Sequence, residues 1–190
     1  MLTLSGAIVS GEAIGSVTVG AALVGNTSTP VVISGVGQAI KTTTDIAIKS
    51  ISSVGSADNA LIQGGYDTLN NAVDPDAQLG RIKVGGNLTA TSIVAGISSA
   101  DANFGSADAV ITPAGMMVNN SAIHSAIASI VVGGQFVGTV ASSDKFGVEA
   151  QFIGSIKIGA VSLGLTKSAS NDDITISQTT TRDVHILEFA

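Results

Sequence analysis

The sequence predicts an all-β chain: a parallel β-helix (β-solenoid) with coils of about 22–26 residues, with a β-sandwich as the alternative. Three observations carry this expectation. Apolar residues alternate with small or polar ones in many short segments, one such segment recurs along the chain, and the composition is rich in Val, Ile, Ala and Gly but poor in rings and charge. Residues 1–166 are expected to form the solenoid, and 167–190 a C-terminal capping segment of the same domain.

The chain has 190 residues, the size of one domain, and can bury a core without disulfide or metal staples. Aromatic residues make up 3% and charged residues 12%, against about 25% charged in an ordinary soluble domain. A core of Val, Ile and Ala without large rings must be thin and regular, and stacked layers of short strands meet that requirement. There are 23 Gly, which allow sharp turns, and no Cys, which excludes disulfides and thiolate metal sites. The net charge of −6 and the lack of clustered Lys and Arg exclude a nucleic-acid partner. Met1-Leu2-Thr3-Leu4 lacks the basic start of a signal peptide. Uncharged stretches such as 13–40 and 109–143 are broken by Gly, Ser, Thr, Asn and Pro, so no membrane-spanning segment is expected.

The repeated segment reads Ile14-Gly15-Ser16-Val17-Thr18-Val19-Gly20, then Leu79-Gly80-Arg81-Ile82-Lys83-Val84-Gly85. It returns as Ile127-Ala128-Ser129-Ile130-Val131-Val132-Gly133 and Ile153-Gly154-Ser155-Ile156-Lys157-Ile158-Gly159. Alternation of this kind is the period of a strand with one buried face. The spacings of about 65, 48 and 26 residues, taken as three, two and one units, set the coil length. Gly55-Ser56-Ala57-Asp58 recurs as Gly105-Ser106-Ala107-Asp108, about 50 residues on, and gives the same beat. Tyr66 to Val73, ahead of Asp74-Pro75, is expected to form a helical turn or short helix. At the C-terminus, Ile174-Thr175-Ile176 and Val184-His185-Ile186 alternate as strands that close the last coil.

Several segments resemble very large bacterial β-strand-repeat surface proteins. They are Ser92 to Ile97, Asp101 to Asp108, Ile127 to Ile130, Asp144 to Ala150 running into Ile153 to Ile156, and the terminal Asp183 to Glu188. The likeness covers about 46–190. It implies a β-helical, exported, adhesin-like or envelope-associated protein, and it transfers no catalytic residue.

No catalytic constellation is legible. Only His124 and His185 could act as imidazole bases, and they stand far apart in the sequence without a nucleophile motif beside either. A polysaccharide-lyase site would need an acidic cluster, a basic residue and sugar-stacking rings. Arg81, Lys83 and Lys157 offer an exposed basic ladder, but one Tyr and no Trp make a poor platform. The calcium candidate is Asp101, Asn103 and Asp108, oxygen ligands at spaced positions around a Gly turn. Asp58-Asn59 and Asp172-Asp173 are weaker acidic turns, and such turns also close through their own backbone. The Thr clusters do not recur in every unit, as an ice-binding face would require.

The expected function is therefore an exported structural or adhesive module of the cell surface or extracellular matrix, not an enzyme. Its expected partners are further copies of itself, joined end to end, and cell-surface or matrix glycans. The alternative is a polysaccharide-binding or polysaccharide-lyase β-helix. Calcium is the single cofactor the sequence suggests.

Overall fold

A computed structural model describes residues 4–38, 43–100, 104–106, 108–113, 122–141, 144–166, 172–176 and 183–189. Among the described residues the chain is all β, with no helix. The strands are β1 (Ala7–Ser10), β2 (Ile14–Val19), β3 (Leu23–Val24), β4 (Val31–Gly35), β5 (Ile46–Ser53), β6 (Ala57–Asp58) and β7 (Ala60–Gly64). Next come β8 (Gln78–Val84), β9 (Leu88–Thr89), β10 (Ser92–Ala95), β11 (Ile97–Ser98), β12 (Val110–Ile111), β13 (Ala126–Val132) and β14 (Phe136–Val137). The last are β15 (Phe146–Ala150), β16 (Phe152–Ile153), β17 (Ile156–Ile158), β18 (Val161–Ser162), β19 (Asp173–Ile176) and β20 (Val184–Glu188).

They form two seven-stranded sheets, a four-stranded sheet and a two-stranded ribbon. The first large sheet runs β1-β4-β7-β10-β15-β20-β19, and the second β18-β17-β13-β8-β5-β2 with β16 also on β13. The four-stranded sheet runs β14-β9-β6-β3. Both large sheets are mixed: β19 lies antiparallel on β20, and β18 antiparallel on β17. The β11–β12 ribbon is antiparallel as well.

These pairings correct the expected fold class. A uniformly parallel β-helix with coils of about 22–26 residues is not what the strands form. The parallel partners are also further apart in sequence than 22–26 residues. Val17 pairs with Ile51 and Ile51 with Ile82, steps of 34 and 31 residues. Ile82 then pairs with Ile130, a step of 48, and Ile130 with Ile156, a step of 26. One more strand, β5, belongs to the series between β2 and β8, so the interval of 65 residues is two steps and not three. It carries Ser53 where its neighbours have Val19 and Val84, and its register against β8 shifts between Ile46 and Ile48. The interval of 48 is a single step, lengthened by the segment between β11 and β13.

The Gly-Ser-Ala-Asp beat is corrected too. Ala57-Asp58 lies opposite Leu88-Thr89, which lies opposite Phe136-Val137; Asp108 belongs to a turn outside that sheet. Nor is the segment after Tyr66 helical. Tyr66 bridges Ala72, and the Asp67 carboxylate accepts from the backbone N–H of Leu69 and Asn71, so an Asx turn replaces the helix.

One apolar cluster draws on all three larger sheets. Columns of like residues stack in it: Val17, Ile51, Ile82, Ile130 and Ile156 from one sheet, and Ile33, Ile62, Ile93, Val148 and Ile186 from another. Leu23, Ala57, Leu88 and Phe136 fill the side belonging to the short sheet. Stiff, branched side chains suit this regular stacking. The chain turns from the short sheet into the first large sheet at Asn59 and Ala90, both left-handed, with φ of 50° and 48°. A Cβ on Gly25, at the corner below, would collide with the Asn59 carbonyl.

Candidate functional site

The corner just described carries a groove of about 330 Å³. It crosses four successive passes of the chain, touching Asn26 to Pro30, Asn59 to Leu61, Ala90 to Ser92, and Asp144 to Phe146. The left-handed turns at Asn59 and Ala90 bring successive passes into line there. Asn59 N donates to Thr89 O at 2.9 Å, and Ala90 N to Val137 O at 3.0 Å. Small residues at the floor, Ala60, Ala90 and Ser92, keep the groove open.

Its polar groups fall into two sets. Some hold the walls: Asn26 Oδ1 accepts from the N–H of Ser28 and Thr29, its Nδ2 donates to Thr29 Oγ1, and Ser92 Oγ accepts from Gly147 N. Thr139 Oγ1 donates to Asp144 Oδ2 at 2.6 Å and fixes that carboxylate. Three others line the groove and have no hydrogen-bond partner among the described residues: the Asn59 amide, the Thr27 hydroxyl and the Lys145 ammonium; Asp144 Oδ1 is also unpartnered but buried away from the trough. An amide, a hydroxyl and an ammonium along one trough match the donors and acceptors of a hydroxyl-rich ligand. Half-buried Phe146 adds an apolar edge.

A second hollow of about 380 Å³ adjoins it and shares Leu61 and Phe104. Here the loop from Tyr66 to Ala72 and the Phe104 turn cover the outer side of β7 and β10, burying Tyr66, Val94 and Phe104 as a second small core. The Tyr66 and Phe104 rings meet edge-on at 6.4 Å and 82°, and Tyr66 Oη donates to Ile97 O at 2.6 Å. Burial raises the Tyr66 hydroxyl well above its ordinary pKa, with the charge of Glu149 adding to it. Gln63 Oε1 is buried here without a partner among the described residues.

Buried carboxyl groups lie at two places inside the protein. Glu149 is fully buried and accepts from Gly105 N. Burial pushes it up to about 7, opposed by that hydrogen bond and reinforced by Asp108. Asp45 and Asp74, both at 0% exposure, lie against each other beside Gly37; Asp45 Oδ1 accepts from Gln38 N and Asp74 Oδ1 from Asp76 N, while the Oδ2 of each has no partner among the described residues. Burial raises both, Asp74 to about 7. A paired carboxyl and carboxylate hold one proton between them.

Of the calcium candidates, Asp101 and Asn103 lie outside the described residues. Asp108 is exposed, and its carboxylate accepts from Ser99 Oγ, Ala100 N and Ser106 Oγ, closing its own turn. Among the described residues no three metal-ligating side chains gather. Asp172 likewise closes a turn, accepting from Thr166 N and Oγ1. His124 is exposed, and its carbonyl accepts from Gln78 Nε2; His185 sits half-buried on β20 opposite Gly147. The basic residues come together only in part. Arg81 and Lys83 lie side by side on β8, while Lys157 is two strands away, with Val131 between it and Lys83.

No protein-family model matches this chain, and no curated protein and no solved structure matches it. The likeness to bacterial β-strand-repeat surface proteins therefore rests on the quoted segments alone. Among the described residues no helix is long and apolar enough to cross a membrane.

The groove was not legible in the sequence. Its residues are single Asn, Thr, Asp and Lys side chains from turns 26, 59 and 144, scattered over about 120 residues and joined only by the stacking.

Proposed function

We propose that this chain is a non-catalytic polysaccharide-binding module that holds a stretch of sugar polymer in the corner groove. One observation carries the reading: hydrogen-bonding groups of three kinds, the Thr27 hydroxyl, the Asn59 amide and the Lys145 ammonium, from three separate turns of the chain, line one trough and have no partner among the described residues. The groove volume of about 330 Å³ falls in the ~300–1,000 Å³ range of small-ligand sites. A rigid all-β scaffold supports such recognition, because the groups are prepositioned and little order is lost on binding. Display at a cell surface or in an extracellular matrix fits this chemistry.

The test is a glycan array followed by affinity electrophoresis in neutral polysaccharide gels, with the double variant Asn59→Gly and Lys145→Ala. Glycine keeps the left-handed turn at 59 while deleting the amide. The expected result is retardation of the native chain in at least one neutral polysaccharide, with affinity weakened about tenfold in the variant. Equal retardation of the two chains removes the groove from the reading. Polymer shortened during incubation overturns the non-catalytic part.

A further inference from the structure

Charge is segregated among the sheets. Lys49, Arg81, Lys83 and Lys157 are the basic residues that lie on described strands, and all four belong to the sheet of β2, β5, β8, β13 and β17. The strands of that sheet carry no Asp or Glu. The strand-borne acids, Asp58, Glu149, Asp173 and Glu188, all belong to the other sheets. In a chain of net charge −6 this is a local reversal of sign.

All four cations are exposed, and no carboxylate pairs with them among the described residues. Alternation fixes their direction. Ile82 and Val84 enter the core, so Arg81 and Lys83 face out, as Lys157 does between Ile156 and Ile158. Arg81 and Lys83 stand about 7 Å apart along the strand, and Lys157 about 10 Å across two strand spacings. Hydroxyls surround them: Ser50 lies opposite Arg81 and Ser52 opposite Lys83, with Ser129 on the far side of Arg81. Ser50 Oγ donates to Ser16 Oγ at 2.9 Å, which extends the polar face to β2.

We propose that this sheet face binds an anionic polysaccharide. The cations are too sparse for the dense charge of a nucleic acid, and no ring stands among them for base stacking. Among the described residues, half-buried Val131 is the one apolar side chain between Lys83 and Lys157, too little to enter a lipid surface. Sparse cations amid rows of hydroxyls complement a polymer of many hydroxyls and spaced carboxylate or sulfate groups. Arg81 supplies a planar fork for such a group, and the lysines supply point charges. The face lies on a different sheet from the groove, so the inference stands apart from the neutral-polymer reading.

The test measures retardation of the full chain in gels containing polygalacturonate, dextran sulfate or neutral dextran. The expected result is binding to one or both anionic polymers, weakened at least about tenfold in the triple variant Arg81→Gln, Lys83→Gln, Lys157→Gln and by raising NaCl from about 0.05 to about 0.5 M. The two anionic arms separate carboxylate from sulfate recognition. The variant Lys83→Arg, Lys157→Arg should retain anionic binding, since it keeps the charge. Circular dichroism of every variant confirms an unchanged fold. Anionic binding that the triple variant leaves intact, or the absence of any anionic binding, overturns the proposal. Loss of neutral-polymer binding in the groove variant leaves it untouched.

Discussion

The two large sheets handle their outer faces differently. In the sheet of β8 and β13, burial alternates over the second half of each strand: Ile82 and Val84 go in, Arg81 and Lys83 go out, as Ile130 and Val132 go in on β13. In the sheet of β7, β10 and β15, alternation disappears. All four residues of β10 are buried, and in β15 all but Phe146. The Tyr66 loop and the Phe104 turn roof over the second sheet, so its outward positions face protein rather than water. A strand open to solvent on one side can be recognised by period. A strand covered on both sides has no such period, and it brings polar residues such as Gln63 and Glu149 indoors.

If the shared apolar core dominates stability, shortening a central column should cost more than shortening the roof. Ile82→Ala, at 2% exposure in the middle of five stacked residues, is expected to destabilise by about 4 kcal/mol, within the usual ~2–5 for such truncations. Val94→Ala, in the small outer cluster, should cost about 2 kcal/mol, the cluster being smaller and flanked by a hollow. Urea denaturation of both variants checks the ranking. Equal losses would mean that the roof is as integral to the fold as the stacked columns.

The same contrast explains what the sequence revealed. All four copies of the recognised motif, in β2, β8, β13 and the β16–β17 segment, lie on the solvent-faced sheet, where alternation survives. In β5 three serines, one of them Ser53 at an inward position, and a register shift hide the same pattern, so the repeat read from the sequence is too short. The antiparallel strands β18 and β19 were illegible as such, because period 2 does not encode the direction of a neighbour. Arg81, Lys83 and Lys157 were readable because they interrupt that alternation on its polar side. Asn59 and Asp144 were not, since a turn residue's neighbour across passes is set by the fold alone.

The roofed sheet should also make stability depend on pH. Glu149 has a folded pKa of about 7 against an ordinary 4.5, so its neutral form is the one the fold favours. Its contribution is whole below about pH 4.5 and is lost as pH rises toward 7, an effect of about 3 kcal/mol. Asp74 acts in the same direction between its ordinary 3.8 and about 7. Glu149→Gln keeps a carbonyl for the Gly105 N–H and cannot ionise. Its unfolding free energy should fall less from pH 5 to pH 8 than that of the native chain, by roughly 2–3 kcal/mol. Parallel pH profiles would place Glu149 in contact with water and remove the distinction between the two sheets.

The smallest effect concerns the corner that joins the sheets. Ala90 and Asn59 occupy equivalent left-handed positions, but only Asn tolerates that conformation readily. An Ala there costs about 1–2 kcal/mol in the folded state, whereas Gly loses about 0.5–1 kcal/mol more entropy on folding. Ala90→Gly is therefore expected to stabilise by up to about 1 kcal/mol, and Asn59→Gly to change stability by less than about 0.5 kcal/mol. Urea midpoints for the two variants decide the matter. A destabilised Ala90→Gly would show that the alanine methyl, at 6% exposure on the groove floor, contributes more through packing than its backbone strain costs.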